Sequence, residues 1–390
     1  MKINLKKYLL YSSVFAIFTE AFFFNYIIDW KLLYLIIFIN YFVLILCFKS
    51  IKINIYFKYI IGFLFLHGVI CYSIIEIPPN YMLSQILGIT IVGLYFYNFV
   101  LVYEKEEIIN AYLKIVLVVA VIGYPLYFLN INLNDGTRLQ SIFKEPAHYV
   151  VVVIPACYYF LKTKKYIPFF VVFGTLVLSN SSLGYIGCGL IFLLPNLTLK
   201  RVVYLAATIP IITVSFIYTY NEHPFFKMRV DDTFENLKVI NTGKFKEDTN
   251  LSSYIILANV YIMKQNVSDH PLGSGIGSHH YMHTTKYIKE IRPPKYIRTI
   301  DRYKDNSFDA NSLFNRMCSE FGVLGIVFII FILTHLFKVF GSDLYFSQGV
   351  VIYILLKLFR DGHYFPPELY LFIWLLYFDI KPKKNKINEM

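Results

Sequence analysis

The feature that most constrains this chain is the recurrence of apolar stretches about as long as a bilayer is thick. A spanning helix needs about 20 mainly apolar residues, because each residue rises about 1.5 Å through a hydrocarbon core about 30 Å deep. Such stretches stand near 8–27, 32–48, 59–77, 82–103, 113–131 and 146–161, then near 166–180, 182–195, 201–219, 313–337, 345–359 and 367–379. The expected fold is an all-α polytopic membrane protein with about 12 transmembrane helices and one large extracytoplasmic loop between spans 9 and 10. Residues 1–219 carry transmembrane helices 1–9, 220–311 the loop, 312–380 transmembrane helices 10–12, and 381–390 a cytoplasmic tail. Spans seven and eight are short, with only Asn180-Ser181-Ser182 between them, so they form either a tight hairpin or a re-entrant pair.

Composition agrees. The chain is 57% hydrophobic and 16% charged, where a soluble domain carries about 25% charged residues. Cys47, Cys71, Cys157, Cys188 and Cys318 lie in or beside apolar segments without CxxC spacing, and read as small buried hydrophobes. The net charge of +12 is mostly topogenic. Eighteen Lys and Arg residues, from Lys2, Lys6 and Lys7 to Lys386, fall at one set of helix ends, against Lys31, Arg138, Lys144, Lys357 and Arg360 at the other. The positive-inside rule then places both termini in the cytoplasm and residues 220–311 outside, and nucleic acid is not an expected partner.

A loop of that length should carry helix of its own. Within it Lys286, Lys289, Arg292, Lys295 and Arg298 recur every third residue, although Pro293-Pro294 breaks any single helix. They read as a solvated face or as an anion site.

The unusual polar residues gather on the same side. After the fifth span, Asp135-Gly136 makes a turn and Pro146 suits the first turn of a helix. Glu145 then stands at that helix's positive end, as a dipole-stabilised carboxylate or as a general base. His270 to Ser278 is a glycine-rich turn without the strand–helix context of a nucleotide site. His279 and His283, four apart, and Asp231-Asp232 are weak metal candidates that no nearby Cys or further carboxylate completes, so no metal and no cofactor are expected. Arg360 and His363 stand at a helix end, as a headgroup anchor or as site lining. Glu20 and His67 are the ionisable residues placed inside spans; such groups usually face the bundle and pair, here with each other, or they mark a proton path.

Four of these stretches, in this order, resemble the O-antigen polymerase and ligase family (Wzy-type polymerases and their ligase relatives). Arg138 followed by Phe143-Lys144-Glu145-Pro146 resembles the family's outer Arg and Phe-x-Glu-Pro element. Leu178 to Gly184 resembles its Ser-Arg-x-Gly turn, with Leu183 where an Arg is common. His270-Pro271-Leu272-Gly273-Ser274-Gly275 resembles its Pro-Leu-x-Gly-x-Gly turn. Asn311-Ser312, then Gly322-Val323-Leu324-Gly325, resembles a ligase pattern that begins with His; Asn311 stands in its place, which favours polymerase over ligase.

The resemblance implies a metal-independent membrane glycosyltransferase at the outer face of the bacterial cytoplasmic membrane. It would join undecaprenyl-pyrophosphate-linked repeat units into O-antigen or into capsular or exopolysaccharide, with a chain-length regulator as partner. In that reading Glu145, Arg138 and His363 are catalytic, with Glu145 the first candidate for the base and His363 the second. Lys144, Arg298, Arg302, Arg360, His270, Gly273, Gly275 and Asn311 bind substrate. Arginine suits the leaving pyrophosphate because its planar fork is permanently charged. The alternatives are a ligase that transfers finished glycan and a lipid-linked oligosaccharide flippase or transporter. The absence of internal halves or paired broken helices in the sequence speaks against the last.

Overall fold

The computed structural model describes residues 4–26, 28–49, 51–131, 138–196 and 210–380, apart from positions 211, 212, 215, 216, 219 and 223. The expected ninth span at 201–219 lies largely outside these residues; the Asp135-Gly136 turn and the 381–390 tail lie wholly outside them.

The described chain is helical apart from one short antiparallel ribbon, β1 (Phe23–Tyr26) and β2 (Ile28–Lys31). Before the large loop come α1 (Leu5–Ala16), α2 (Leu32–Phe48), α3 (Ile55–Ile75), α4 (Asn80–Val102), α5 (Lys105–Phe128), α6 (Pro146–Lys162), α7 (Tyr166–Leu178) and α8 (Ser182–Leu193). The loop carries α9 (Pro224–Glu235) and α10 (Leu251–Asp269) with several single turns. After it come α11 (Leu313–Leu336), α12 (Tyr345–Phe359) and α13 (Pro367–Ile380).

Local chemistry sets the helix starts. The Asn54 side chain accepts from the amides of Tyr56 and Phe57, Glu104 and Glu107 form a capping box on α5, and Ser312 accepts from Asn315 N at 3.0 Å. Pro146 occupies the first turn of α6, as its sequence position predicts.

Burial runs from the centre outward. Helix α6 is buried along almost all its length. It lies so close to α12 that a Cβ on Gly349 would stand 2.8 Å from Pro155 backbone atoms. Tyr112 Oη donates to Val152 O at 2.6 Å, Tyr158 Oη to Gln348 Oε1 at 2.6 Å, and Trp374 Nε1 to Gly93 O at 2.8 Å, which ties α5, α12, α13 and α4 into the centre. Outside this core the apolar side chains point away from the protein. Phe63, Leu66, Ile70 and Ile74 of α3 are exposed, as are Val327, Phe328, Ile330 and Phe331 of α11. Water would not tolerate such a surface, whereas lipid hydrocarbon does. Among the described residues, four helices are long and apolar enough to cross a membrane: α3, α4, α5 and Leu313–Gly341, which extends α11. The chain is thus a helical membrane protein.

The first expected span needs correction. Helix α1 stops at Ala16, and the chain turns through Ile17–Phe22 into the ribbon rather than continuing to residue 27. Helices α7 and α8, of 13 and 12 residues, form a hairpin through Ser179-Asn180-Ser181. At about 1.5 Å per residue neither reaches across a hydrocarbon core about 30 Å thick.

The large loop is docked onto the bundle through α11. That helix breaks at Gly322, whose φ of 56° and ψ of −134° interrupt the ladder. The interruption strands backbone groups, and the glycine-rich turn satisfies them. Gly275 N donates to Glu320 O at 2.8 Å, Ser274 N to Ser319 O at 3.3 Å, and Val323 N to Pro271 O at 2.9 Å. The Pro-Leu-x-Gly-x-Gly and Gly-x-x-Gly stretches singled out separately in the sequence are therefore one docking joint.

Candidate functional site

At the end of the bundle that carries the large loop, ionisable side chains from several elements converge on a cavity. Glu20 follows α1, His148 lies in the first turn of α6, Asp361 and His363 lie between α12 and α13, and Glu368 opens α13. Lys31, Tyr34 and Phe143 complete much of the wall. His148 Nδ1 stands 2.9 Å from Glu20 Oε1, and Tyr353 Oη donates to Glu368 Oε1 at 3.4 Å. The expected partnership of Glu20 with His67 is wrong. His67 Nε2 instead contacts Leu272 O at 3.0 Å, on the docking turn.

Beneath the cavity lies a knot of buried charge. Lys357 Nζ donates to Asp361 Oδ2 at 2.7 Å, with Lys357 fully buried. Arg316, also buried, donates to Glu320 Oε1 at 3.1 Å, to Gln85 Oε1 at 2.8 Å and to Gly362 O at 3.0 Å, and its guanidinium stacks over Tyr364. Asp309 Oδ2 accepts from Gly362 N, and Asp361 N donates to Asn311 O at 3.1 Å, so the turn before α11 and the turn before α13 hold each other. The expectation that Glu20 and His67 are the ionisable residues at depth therefore needs correction. Arg316 and Glu320, and Lys357 and Asp361, are pairs four residues apart on one helix face. That spacing inside or at the end of an apolar stretch was the signal available in the sequence.

The electrostatics follow from this packing. Burial alone would raise the Asp361 carboxyl, but the Lys357 ammonium, then His363 and His148, hold it well below the usual carboxylate range. For His363, loss of water pulls the pKa down, and Asp309 and Asp361 oppose this only in part. His363 keeps an exposed edge on the cavity, so its imidazole is accessible there.

Ligand atoms of Asp309, Asp361 and His363 lie within 4.8 Å of one another, a set that could hold a cation. Lys357 already supplies positive charge at Asp361, and backbone amides of Asn311 and Gly362 bind Asp309. The weaker candidates are engaged elsewhere. His279 uses both ring nitrogens, on Ser319 Oγ at 2.9 Å and Asn259 Oδ1 at 3.1 Å. Burial lowers the pKa of His283 to about 4, and neither of its ring nitrogens has a partner among the described residues. Asp231 accepts from Tyr220, and Asp232 accepts from Asn250 N at the start of α10.

The other expected site residues divide into three groups. Glu145 is exposed at the N-cap of α6 without a capping bond, within electrostatic range of His148; Lys144 beside it and Arg138 are also exposed. Arg360, half-buried, precedes Asp361. None of these four lines the cavity, although Lys144 and Arg360 each adjoin a residue of its wall, Phe143 and Asp361. Asn311, with φ of 61°, belongs to the knot. A third group lies in the docked loop. Arg298 is exposed on a short turn of helix, Arg302 pairs with Asp305 at 2.7 Å, and His270 Nε2 lies 3.1 Å from Lys286 Nζ. Gly273 and Gly275 face backbone and ring atoms. A Cβ on Gly273 would lie 2.3 Å from Glu320 O, and one on Gly275 2.9 Å from the Tyr72 ring.

No protein-family model matches this sequence, and no curated protein matches it at a significant level.

Proposed function

We propose that this protein is a membrane polymerase that joins lipid-pyrophosphate-linked oligosaccharide repeat units at the outer face of the bacterial cytoplasmic membrane. One observation carries the reading: the reachable imidazole of His363 stands beside a preorganised cluster of buried charge, at the bundle end that holds the large loop. The Lys/Arg bias of the short loops assigns that end to the outside. A flippase needs a path through the bilayer, whereas this cluster sits at one end of the bundle.

In the proposed reaction the acceptor sugar hydroxyl gives its proton to neutral His363 as its oxygen attacks the donor's anomeric carbon. The new C–O bond forms as the bond from that carbon to the pyrophosphate oxygen breaks, and lipid pyrophosphate leaves with the electron pair. His363 then releases its proton to water. Arg360, Arg138 and Lys144 supply fixed positive charge for the leaving group. Glu145, at the N-cap of α6, is the second candidate for the base.

A deletion strain tests the reading against its rivals. Polymerase loss leaves surface glycan as single repeat units, exported but not extended. Long chains retained on the lipid carrier would indicate a ligase, and units trapped on the cytoplasmic face a flippase; either result refutes polymerisation.

A further inference from the structure

Phe308 is an unusual residue for its surroundings. It is 63% exposed, in a stretch whose neighbours are Asp305, Asn306, Ser307 and Asp309. One face of its ring is fixed. The His280 imidazole lies parallel to it, with centroids 3.6 Å apart and planes inclined by 9°. His280 is itself held by Ser307 Oγ at 2.7 Å from Nδ1. Burial and then Lys304 lower the His280 pKa, so the backing ring is neutral. Tyr81 stands 6.0 Å from His280 and also 6.0 Å from Tyr281, which extends the aromatic cluster behind it. The next residue after Phe308 is Asp309, whose carboxylate lies within 4.8 Å of a His363 ring nitrogen. A flat aromatic surface, open on one side and bordered by side chains that hydrogen-bond, thus begins one residue from the acid–base cluster.

We propose that Phe308, backed by His280, is a saccharide-stacking subsite that receives one pyranose ring of the lipid-linked glycan. This rests on the polymerase reading above and assigns part of its substrate site. The axial C–H groups of a pyranose form an apolar, slightly positive face that matches the negative face of an aromatic ring. The ring's hydroxyls point outward at its edge, and the chain neighbours of Phe308, Asn306, Ser307 and Asp309, are hydrogen-bonding residues. A lipid-facing anchor is the rival role for an exposed Phe near a helix start. Phe308 lacks the polar tip that suits Trp and Tyr to the membrane interface, which argues against it.

The test uses the full-length protein in phospholipid nanodiscs, with maltotriose, cellotriose and chitotriose as probes and saturation-transfer NMR as readout. At least one probe should bind the wild-type protein. Phe308→Ala should weaken that binding by at least about tenfold, Phe308→Tyr should keep it within about threefold, and neither should move the thermal midpoint. Binding by Phe308→Ala at wild-type strength, or no binding of any probe to the wild type, overturns the proposal. Phe308→Trp supplies a second reading. Its fluorescence should respond to the bound sugar and not to brominated lipid; quenching by brominated lipid would make the residue an anchor and overturn the subsite. These failures are distinct from failure of the polymerase reading. A deletion strain that still makes long chains would remove that reading while leaving Phe308-dependent sugar binding intact.

Discussion

Two regions meet α11 at the same end of the bundle, and they use burial in opposite ways. The docking turn has almost no side chain at its critical points. Gly273, Gly275 and Gly277 hold φ values of 86°, 92° and 82°, and their backbone presses against α11, α3 and α4. In the charged knot the same left-handed region is occupied by Asn311 and Asp361, at 61° and 74°. Such a conformation costs a non-glycine residue roughly 1–2 kcal/mol, so a position that needed only shape would be better served by glycine. At Asp361 the side chain holds Lys357, and at Asn311 it accepts from Asn306 Nδ2. The turn is built to fit, and the knot to place charge. Strained residues of the second kind are the ones that point toward chemistry.

The largest expected effect breaks the first region. Gly322→Ala would bring a Cβ within 2.0 Å of Pro271 O, at a positive φ. It should cost on the order of 4 kcal/mol or more, read as loss of monodisperse protein in detergent. Normal yield and melting would show that the joint does not hold the loop as described.

The next effect belongs to the knot. Asp361→Asn leaves the buried Lys357 without its counter-charge, which should cost about 3–5 kcal/mol. Adding Lys357→Met should recover most of that loss, because the penalty comes from the unpaired charge. Additive destabilisation in the double variant would mean that the pair is not coupled. The mildest effect is on pH dependence. A neutral base is lost as pH falls through its pKa, and for His363 that pKa lies below the usual imidazole value. Asp309→Asn removes a carboxylate that favours the protonated ring, so the acid limb of polymerisation should move to lower pH. A shift to higher pH would contradict the assignment.

The same contrast explains what the sequence could disclose. Spans such as α3, α4 and α11 are legible because length and hydropathy are local properties. The end of α1 is not: Phe22, Phe23 and Phe24 keep the stretch apolar through the turn and into the ribbon. Glycines 273 and 322 were visible as motifs, but their function as two halves of one joint is a contact across 49 positions. Arg316 and Glu320 were hidden by their apolar neighbours, which dominate any average over a span, and Lys357, counted at a helix end, is instead buried inside α12. His148 as the partner of Glu20 is a tertiary fact that no local pattern carries. His363, by contrast, was found from its place at a helix end, and the structure adds the carboxylates that surround it.

The central claim is that His363 is the base of a glycan polymerase, and one measurement tests it directly. His363→Gln keeps a polar side chain of similar reach and removes the base, so surface glycan from a deletion strain complemented with it should collapse to single repeat units. Removing a general base typically lowers the rate by about 10²–10⁴-fold. Membrane insertion and protein level should match the wild type, since His363 is exposed at the cavity edge. Long chains at wild-type length and abundance from His363→Gln would contradict the account.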